Sequence, residues 1–363
     1  MIIRKTAAVL LIAALCLSLA SCGYNPETVG TITGPDGLVR EITCGEYLAA
    51  QYQVVYEIVQ QAGITDNQQI DMKKLMDLEA ADGGTIRDFV ARSVKQTLIN
   101  RTATDYLYDK TDLGDDVMTQ MYYDNYIQND WAQSSQFMLQ NGIGYESFRN
   151  YEMQILKGTQ LPYAIYGKGG EKELSEEFVN EFMETKVGRF TYIKLPYRKV
   201  MNVDNTQAEN NTLKAYANEI LAAIKEEKRA DVVPPKDIIA EVAGGYADRY
   251  QNILGYHQEM DSITNDNQLL LDGDGKFTAA EYEQIFKVEV GEYAVIEGAN
   301  GLYSIVFRHG LQAEDTVENL FNNIITAAAA PMFQEYLAET AEKFTIELDE
   351  KATAYYSPDK IVM

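Results

Sequence analysis

The chain has 363 residues, 24% of them charged, and its 31 lysines and arginines against 55 aspartates and glutamates give a formal net charge of −24 at pH 7. Such a surface repels phosphate backbones and anionic headgroups, so nucleic acid is excluded as a partner, while cationic ligands and basic polypeptide segments are favoured. Three cysteines and two histidines make no Cys/His metal framework, and no HExxH, GxSxG or GxxxxGK[ST] motif occurs, so the corresponding metal, hydrolase and P-loop chemistries are also excluded.

Residues 1–22 open with Arg4 and Lys5, continue through an apolar core at 7–17 and end Leu19-Ala20-Ser21-Cys22. The apolar run is too short and wrongly flanked for a membrane span and reads as a secretory signal. A cysteine directly after Leu-Ala-Ser is similar to the lipobox of bacterial lipoproteins, in which the Cys22 thiol is acylated. Acyl chains anchor by burying methylenes, so the mature protein is expected on the extracytoplasmic face of the bacterial envelope, attached to a membrane it does not span. Loss of Arg4 and Lys5 with the signal takes the formal charge from −24 to −26. Cys16 leaves with the signal and Cys22 carries lipid, so Cys44 has no partner for an internal disulfide and reads as a small packed residue ahead of a helix start.

Residues 23–38 form a tether and the start of a hairpin, in which 31–33 can pair with 38–42 around Pro35-Asp36-Gly37. Helical spacing follows at 46–61 (Tyr47, Leu48, Tyr52, Val55, Val59), and Thr85 can cap a helix whose Ile86, Phe89, Val90, Val94 and Leu98 form a stripe. A long helix is predicted at 115–139, a short amphipathic one at 145–156, and one capped by Ser175 at 176–186. The pattern then changes. Residues 189–195 alternate as a strand with Phe190, Tyr192 and Lys194 opposite Thr191, Ile193 and Leu195. Leu213, Tyr216, Ala217, Ile220, Leu221 and Ile224 give a helical stripe, a helix is predicted at 278–288, and a closing strand at 301–307. A final helix (314–337) and a strand at 344–348 complete the chain. The fold class is therefore α+β: a helical domain at 39–187, an α+β domain at 188–311 inserted into it, and a tail at 312–363 that packs back on the helical part.

This order of elements carries a family resemblance. The lipobox is followed by Glu41-Ile-Thr-Cys-Gly-Glu-Tyr47, two long helices, Asn141-Gly-Ile-Gly-Tyr-Glu-Ser-Phe-Arg149 and Glu173-Leu-Ser-Glu-Glu-Phe-Val-Asn-Glu-Phe182 ahead of the strand Phe190-Thr-Tyr-Ile-Lys-Leu195. Together they resemble the SurA/PrsA family of extracytoplasmic foldases, in which a helical chaperone region flanks a parvulin-type prolyl isomerase domain. The run Gly301-Leu-Tyr-Ser-Ile-Val306 looks like the last parvulin strand. The resemblance implies two facing histidines on central strands and an apolar proline pocket near the last helix. Here Tyr192 and Tyr303 stand at the histidine positions, and Phe277, Glu281 or Tyr282, and Phe286 fall in the pocket region. A prolyl bond turns over a barrier of about 18–20 kcal/mol, and oriented hydrogen bonds that relieve amide resonance lower it, so a pair of hydroxyls on one face is the chemistry to look for.

No cofactor is implied, and no metal. Asp272-Gly-Asp274-Gly275-Lys-Phe277-Thr-Ala-Ala-Glu281 matches the second half of an EF-hand loop, but its first ligand would be Leu270, which has no side-chain oxygen, so a turn capped by Thr278 is preferred. Clustered Tyr122, Tyr123, Tyr126, Tyr145, Tyr151, Tyr163 and Tyr166, with Trp131 and Met121, offer adaptable contact to irregular apolar segments. The expected partners are unfolded or newly secreted polypeptides and the membrane, with a homodimer as a further possibility. A solute-binding or purely structural envelope lipoprotein is the alternative; the former needs two lobes of alternating strand and helix, which the pattern lacks.

Overall fold

The computed structural model describes residues 26–62, 70–81, 83–115, 117–195, 206–229, 232–254 and 263–363; the segment 1–22 expected to be a signal, with Cys16 and Cys22, and His257 lie outside them. Packing divides the chain into two units. One holds the described residues up to Leu161 together with Phe333–Met363, and the other is Pro162–Met332. The architecture is α+β, with the sheet-bearing unit inserted in sequence between the two parts of a helical one.

The first unit begins with the expected hairpin, β1 (Thr28–Thr33) antiparallel to β2 (Val39–Thr43). The C-terminal strand β7 (Thr345–Leu348) pairs with the free edge of β1, Ile32 opposite Ile346, so both chain ends share one sheet. Further ties hold the C-terminal segment to the unit: the Tyr356 hydroxyl donates to the Pro26 carbonyl at 2.8 Å, Arg87 pairs with Asp359 at 2.7 Å, and the Asn141 amide exchanges two bonds with the Val362 backbone. Thr43 caps α1 (Cys44–Gln61), which makes Cys44 the first helical residue. Helix α2 is Met72–Met76 and α3 is Ile86–Tyr108, capped by Thr85. On α3 the fully buried line is Val90, Val94 and Leu98, and Phe89 is 37% exposed. Four-residue steps advance only about 40° around a helix, so this line stays on one side while Phe89 turns off it.

Helices α4 (Val117–Gln140) and α5 (Tyr145–Tyr166) follow. α5 does not stop at 156 as expected; it runs on through Pro162. Gly158 and Pro162 weaken the local helical preference, and the burial of Leu161, Ile165 and Tyr166 maintains the helix beyond them.

The second unit contains α6 (Glu176–Lys186), capped by Ser175 as expected, and a four-stranded antiparallel sheet of order β4-β3-β6-β5. The strands are β3 (Val187–Leu195), β4 (Thr264–Leu271), β5 (Tyr293–Glu297) and β6 (Tyr303–His309). Helices α7 (Gln207–Glu226) and α8 (Pro235–Leu254) cover one face, and α9 (Ala279–Ile285) covers the other. Strands β4 and β5 escaped the sequence pattern. Both are edge strands, and β4 carries Asn265, Asp266 and Asn267, poor strand formers that are tolerated where one edge stays unpaired. After β6 come α10 (Val317–Ile324), one π turn (Ile325–Ala329), α11 (Ala330–Ala341) and, beyond β7, α12 (Glu350–Tyr355). α6 and α10 pack within this second unit, which therefore extends on both sides of 188–311.

Candidate functional site

Strand β3 supplies both faces of the sheet, and its alternation is the one read from sequence. Phe190 and Tyr192 join Phe277, Tyr282, Ile285, Ile296 and Val306 on the α9 side, whereas Ile193 and Leu195 join the α7/α8 side. On the α9 side the rings interlock. Tyr192 meets Phe277 edge-on with centroids 5.0 Å apart, Phe277 meets Tyr282 at 5.7 Å, and Tyr282 stacks on Phe286 at 5.5 Å. Lys194 lays its ammonium over the Phe277 ring at 4.2 Å. Thus Tyr192, Phe277, Tyr282 and Phe286 are brought together in one aromatic group.

The turn before α9 fixes this aromatic group. Gly273 has φ +99°, and a side chain there would collide with the Ala327 carbonyl oxygen, at 2.4 Å, so only glycine fits. Asp274 accepts the Tyr282 hydroxyl and the amides of Leu271, at 3.2 Å, and Lys276, at 3.0 Å. Burial pushes the Asp274 carboxyl up, but those hydrogen bonds outweigh it and hold the group below its ordinary value. Burial, followed by the hydrogen bond to Asp274, raises Tyr282 strongly; burial and the Asp274 charge raise Tyr192. Both phenols are therefore neutral donors at physiological pH.

Glu281 has another job. It is the N3 residue of a capping box: its Oε2 accepts from the Thr278 amide at 2.8 Å and the Thr278 hydroxyl at 2.7 Å, while Thr278 accepts from the Glu281 amide. Its Oε1 is buried without a hydrogen-bond partner among the described residues. The turn at 272–281 carries the Thr278 cap expected from sequence, and Leu270 is buried in β4.

Tyr303 is the main correction. In the β3–β6 register Tyr303 stands opposite Leu195, and Tyr192 stands opposite Val306. Side chains alternate with period two, so Tyr192 and Tyr303 project from opposite faces and cannot form a hydroxyl pair. Tyr303 packs among the α7/α8 aliphatics, with its hydroxyl 3.4 Å from Glu297. The β6 residues on the Tyr192 face are Ser304, Val306 and Arg308; Arg308 lies over the Phe190 ring and donates to the Phe286 and Val288 carbonyls, and the buried Ser304 hydroxyl has no partner among the described residues. Ser304 was missed because only a known register says which of two adjacent residues faces Tyr192.

A polar cluster sits at the other end of the Tyr303 face. The buried Thr191 hydroxyl is 2.9 Å from the Asp266 carboxylate, 2.8 Å from His309 Nε2 and 3.0 Å from the Asn267 amide, which donates to it. Arg189 makes a forked pair with Asp315 (2.6 and 2.9 Å) and donates to the Asn267 carbonyl. Burial lowers His309 below its usual pKa. Thr191 is wholly enclosed, so the cluster braces the sheet and offers no nucleophile.

In the helical unit the clustered aromatics divide by role. Tyr123 is buried with Ile127, and Trp131 packs edge-on to Tyr145 at 5.5 Å. Tyr122 (65% exposed), Tyr126 (48%) and Phe137 (49%) point outward from α4 with Met121 and Leu139. Every exposed residue of α4 from Met121 onward is uncharged: tyrosine, phenylalanine, methionine, leucine, alanine and amides.

The fold is similar to solved structures of PrsA. One, described as a peptidylprolyl isomerase from Bacillus anthracis, is 17% identical, covering 68% of this chain and 96% of that one, with a TM-score of 0.32. Another, a foldase protein from Streptococcus pneumoniae, is 14% identical, covering 79% and 100%, with a TM-score of 0.33. A third, from Lactococcus lactis, is 15% identical, covering 92% and 99%, with a TM-score of 0.35. No family model matches the sequence, and no curated protein does.

Proposed function

We propose that this protein is a foldase-type chaperone of the bacterial envelope, anchored through a lipid on Cys22, that holds unfolded polypeptide against the exposed face of α4. The observation that carries the reading is that the exposed residues of α4 from Met121 onward carry no charge in a chain of net charge −24, with the partly exposed Asp124 paired to Arg149. Solubility alone is served by charged helix surfaces. A band of tyrosine, phenylalanine and methionine interleaved with glutamine and asparagine instead gives apolar contact and backbone hydrogen bonds to irregular segments of either charge. Contacts of this kind are individually weak, so clients exchange freely.

The sheet-bearing unit serves this reading as a binding or positioning module. Prolyl isomerisation through a Tyr192/Tyr303 pair has no geometric support, because the two hydroxyls lie on opposite faces of the sheet. The one histidine among the described residues, His309, lies on the face away from Tyr192.

Light scattering of reduced, unfolded α-lactalbumin tests the reading. This client is acidic, so charge attraction cannot account for its binding. The full chain is expected to suppress its aggregation at equimolar ratio, and Tyr122→Ser/Tyr126→Ser/Phe137→Ser to lose most of the effect with a melting temperature within about 2 °C of wild type, as for exposed positions. Equal suppression by the triple variant would overturn the assignment to α4. Separately, Cys22→Ser should move the protein out of the membrane fraction of producing cells.

A further inference from the structure

Within the second unit, α6 and α10 run side by side and leave a groove of about 520 Å³ between them. Its floor is apolar: Leu174 and Val179 are buried beneath it, and Val317 and Phe321 are half-buried along its wall. Its rim is acidic, with Glu173, Glu176 and Glu318 against a single cation, Lys168. Glu173 is committed to the chain, accepting the Gly169 amide at 2.8 Å. Glu176 and Glu318 make no hydrogen bond or ion pair among the described residues.

Helix starts favour acidic residues, so the positions of Glu176 and Glu318 in the first turns of α6 and α10 have an ordinary explanation. Helix preference does not explain the open apolar floor between them. A volume within the roughly 300–1,000 Å³ usual for ligand sites, with apolar walls and a few charges at the mouth, is the form of a binding groove. The carboxylates do not converge as a metal site among the described residues. A second copy of a chain of charge −24 would meet the rim with repulsion, as would an anionic bilayer.

From this charge complementarity we infer that the α6/α10 groove is a second polypeptide subsite, selective for short segments in which an apolar side chain is flanked by lysine or arginine. The apolar side chain fills the floor and the flanking cations meet Glu176 and Glu318. The occupant is taken from the chaperone reading above, on which the inference rests. The groove adds a selectivity that the uncharged face of α4 does not have.

Fluorescence anisotropy with the full chain and a labelled eight-residue peptide of alternating lysine and leucine tests it at low ionic strength. Wild type should bind, and Glu176→Gln/Glu318→Gln should weaken binding about tenfold, a loss that shrinks in high salt. Phe321→Ala should weaken it as well, with the melting curve recorded beside it. A glutamate–leucine peptide and a lysine–serine peptide should both bind at least tenfold more weakly. Equal affinity of the double variant and wild type overturns the inference, as does a lysine–serine peptide binding as well as the lysine–leucine one. Competition by dodecyltrimethylammonium at the peptide's own affinity assigns the groove to cationic amphiphiles and overturns it too. The Tyr122/Tyr126/Phe137 variant should keep the salt-sensitive part of peptide binding that Glu176→Gln/Glu318→Gln removes. Undiminished α-lactalbumin protection by that variant, with peptide binding still lost on Glu176→Gln/Glu318→Gln, would therefore count against α4 alone, and undiminished peptide binding by the glutamine variant, with protection lost in the triple variant, against the groove alone.

Discussion

The two faces of the four-stranded sheet are built from the same strands and do different work. Toward α7 and α8, Ile193, Leu195 and Ile305 meet Leu213, Ile220, Ile224 and Ile239, all buried aliphatics from two long helices. Toward α9, the sheet meets a helix of 7 residues and a turn, and the space is filled by interlocking rings, one of which, Tyr282, is tied through its hydroxyl to Asp274. The first face is a core that tolerates little change in volume. The second is an aromatic plate held by the Asp274 turn, and it is stabilised by a few directed bonds.

That contrast sets the order of the expected effects. Ile220→Ala, fully buried on the α7 side, should cost about 3–4 kcal/mol in urea unfolding, because the cavity cannot close against two packed helices. A loss below about 1 kcal/mol would show that the face is loosely packed and break the comparison. Tyr282→Phe leaves the ring stack intact and removes only the donor to Asp274. It should cost about 1.5–2 kcal/mol, in the range for a bond to a charged group, and an unchanged midpoint would mean that the turn holds itself.

Acid should act on the Tyr303 face through His309. Its folded pKa lies below the ordinary 6.5 because of burial, with Asp266 working against the shift and Arg189 with it. The neutral ring's contribution to stability is thus complete above pH 6.5 and is lost as pH falls through the lower folded value. A urea midpoint series from pH 8 to pH 5 should fall on the acid side, and His309→Gln should flatten that fall. A parallel decline in both proteins would place the acid sensitivity elsewhere. The smallest effects are expected from the hydroxyls once considered as a pair. Tyr192→Phe and Tyr303→Phe should each shift stability by less than about 1 kcal/mol, and neither should alter prolyl isomerisation measured by exchange NMR with the full chain. A rate that fell with both substitutions would reinstate a joint role that the register denies.

Features confined to a few adjacent residues were legible before the structure. Thr85, Ser175 and Thr278 cap helices as their spacing indicated, because a cap is a bond between residues two or three apart and needs no distant partner. The alternation of β3 and the 28–43 hairpin were legible for the same reason. Beyond these, the sequence by itself determined an α+β chain with a sheet-bearing segment inside a helical one, and a strongly acidic surface. Only the tertiary structure decided that Tyr303 faces away from Tyr192, that β7 completes the sheet begun by β1, and that α6 and α10 enclose a groove. Each of these joins segments more than a hundred residues apart, where a shift of one residue in register reverses every side chain, and the choice is made by the summed packing of both faces rather than by any local pattern.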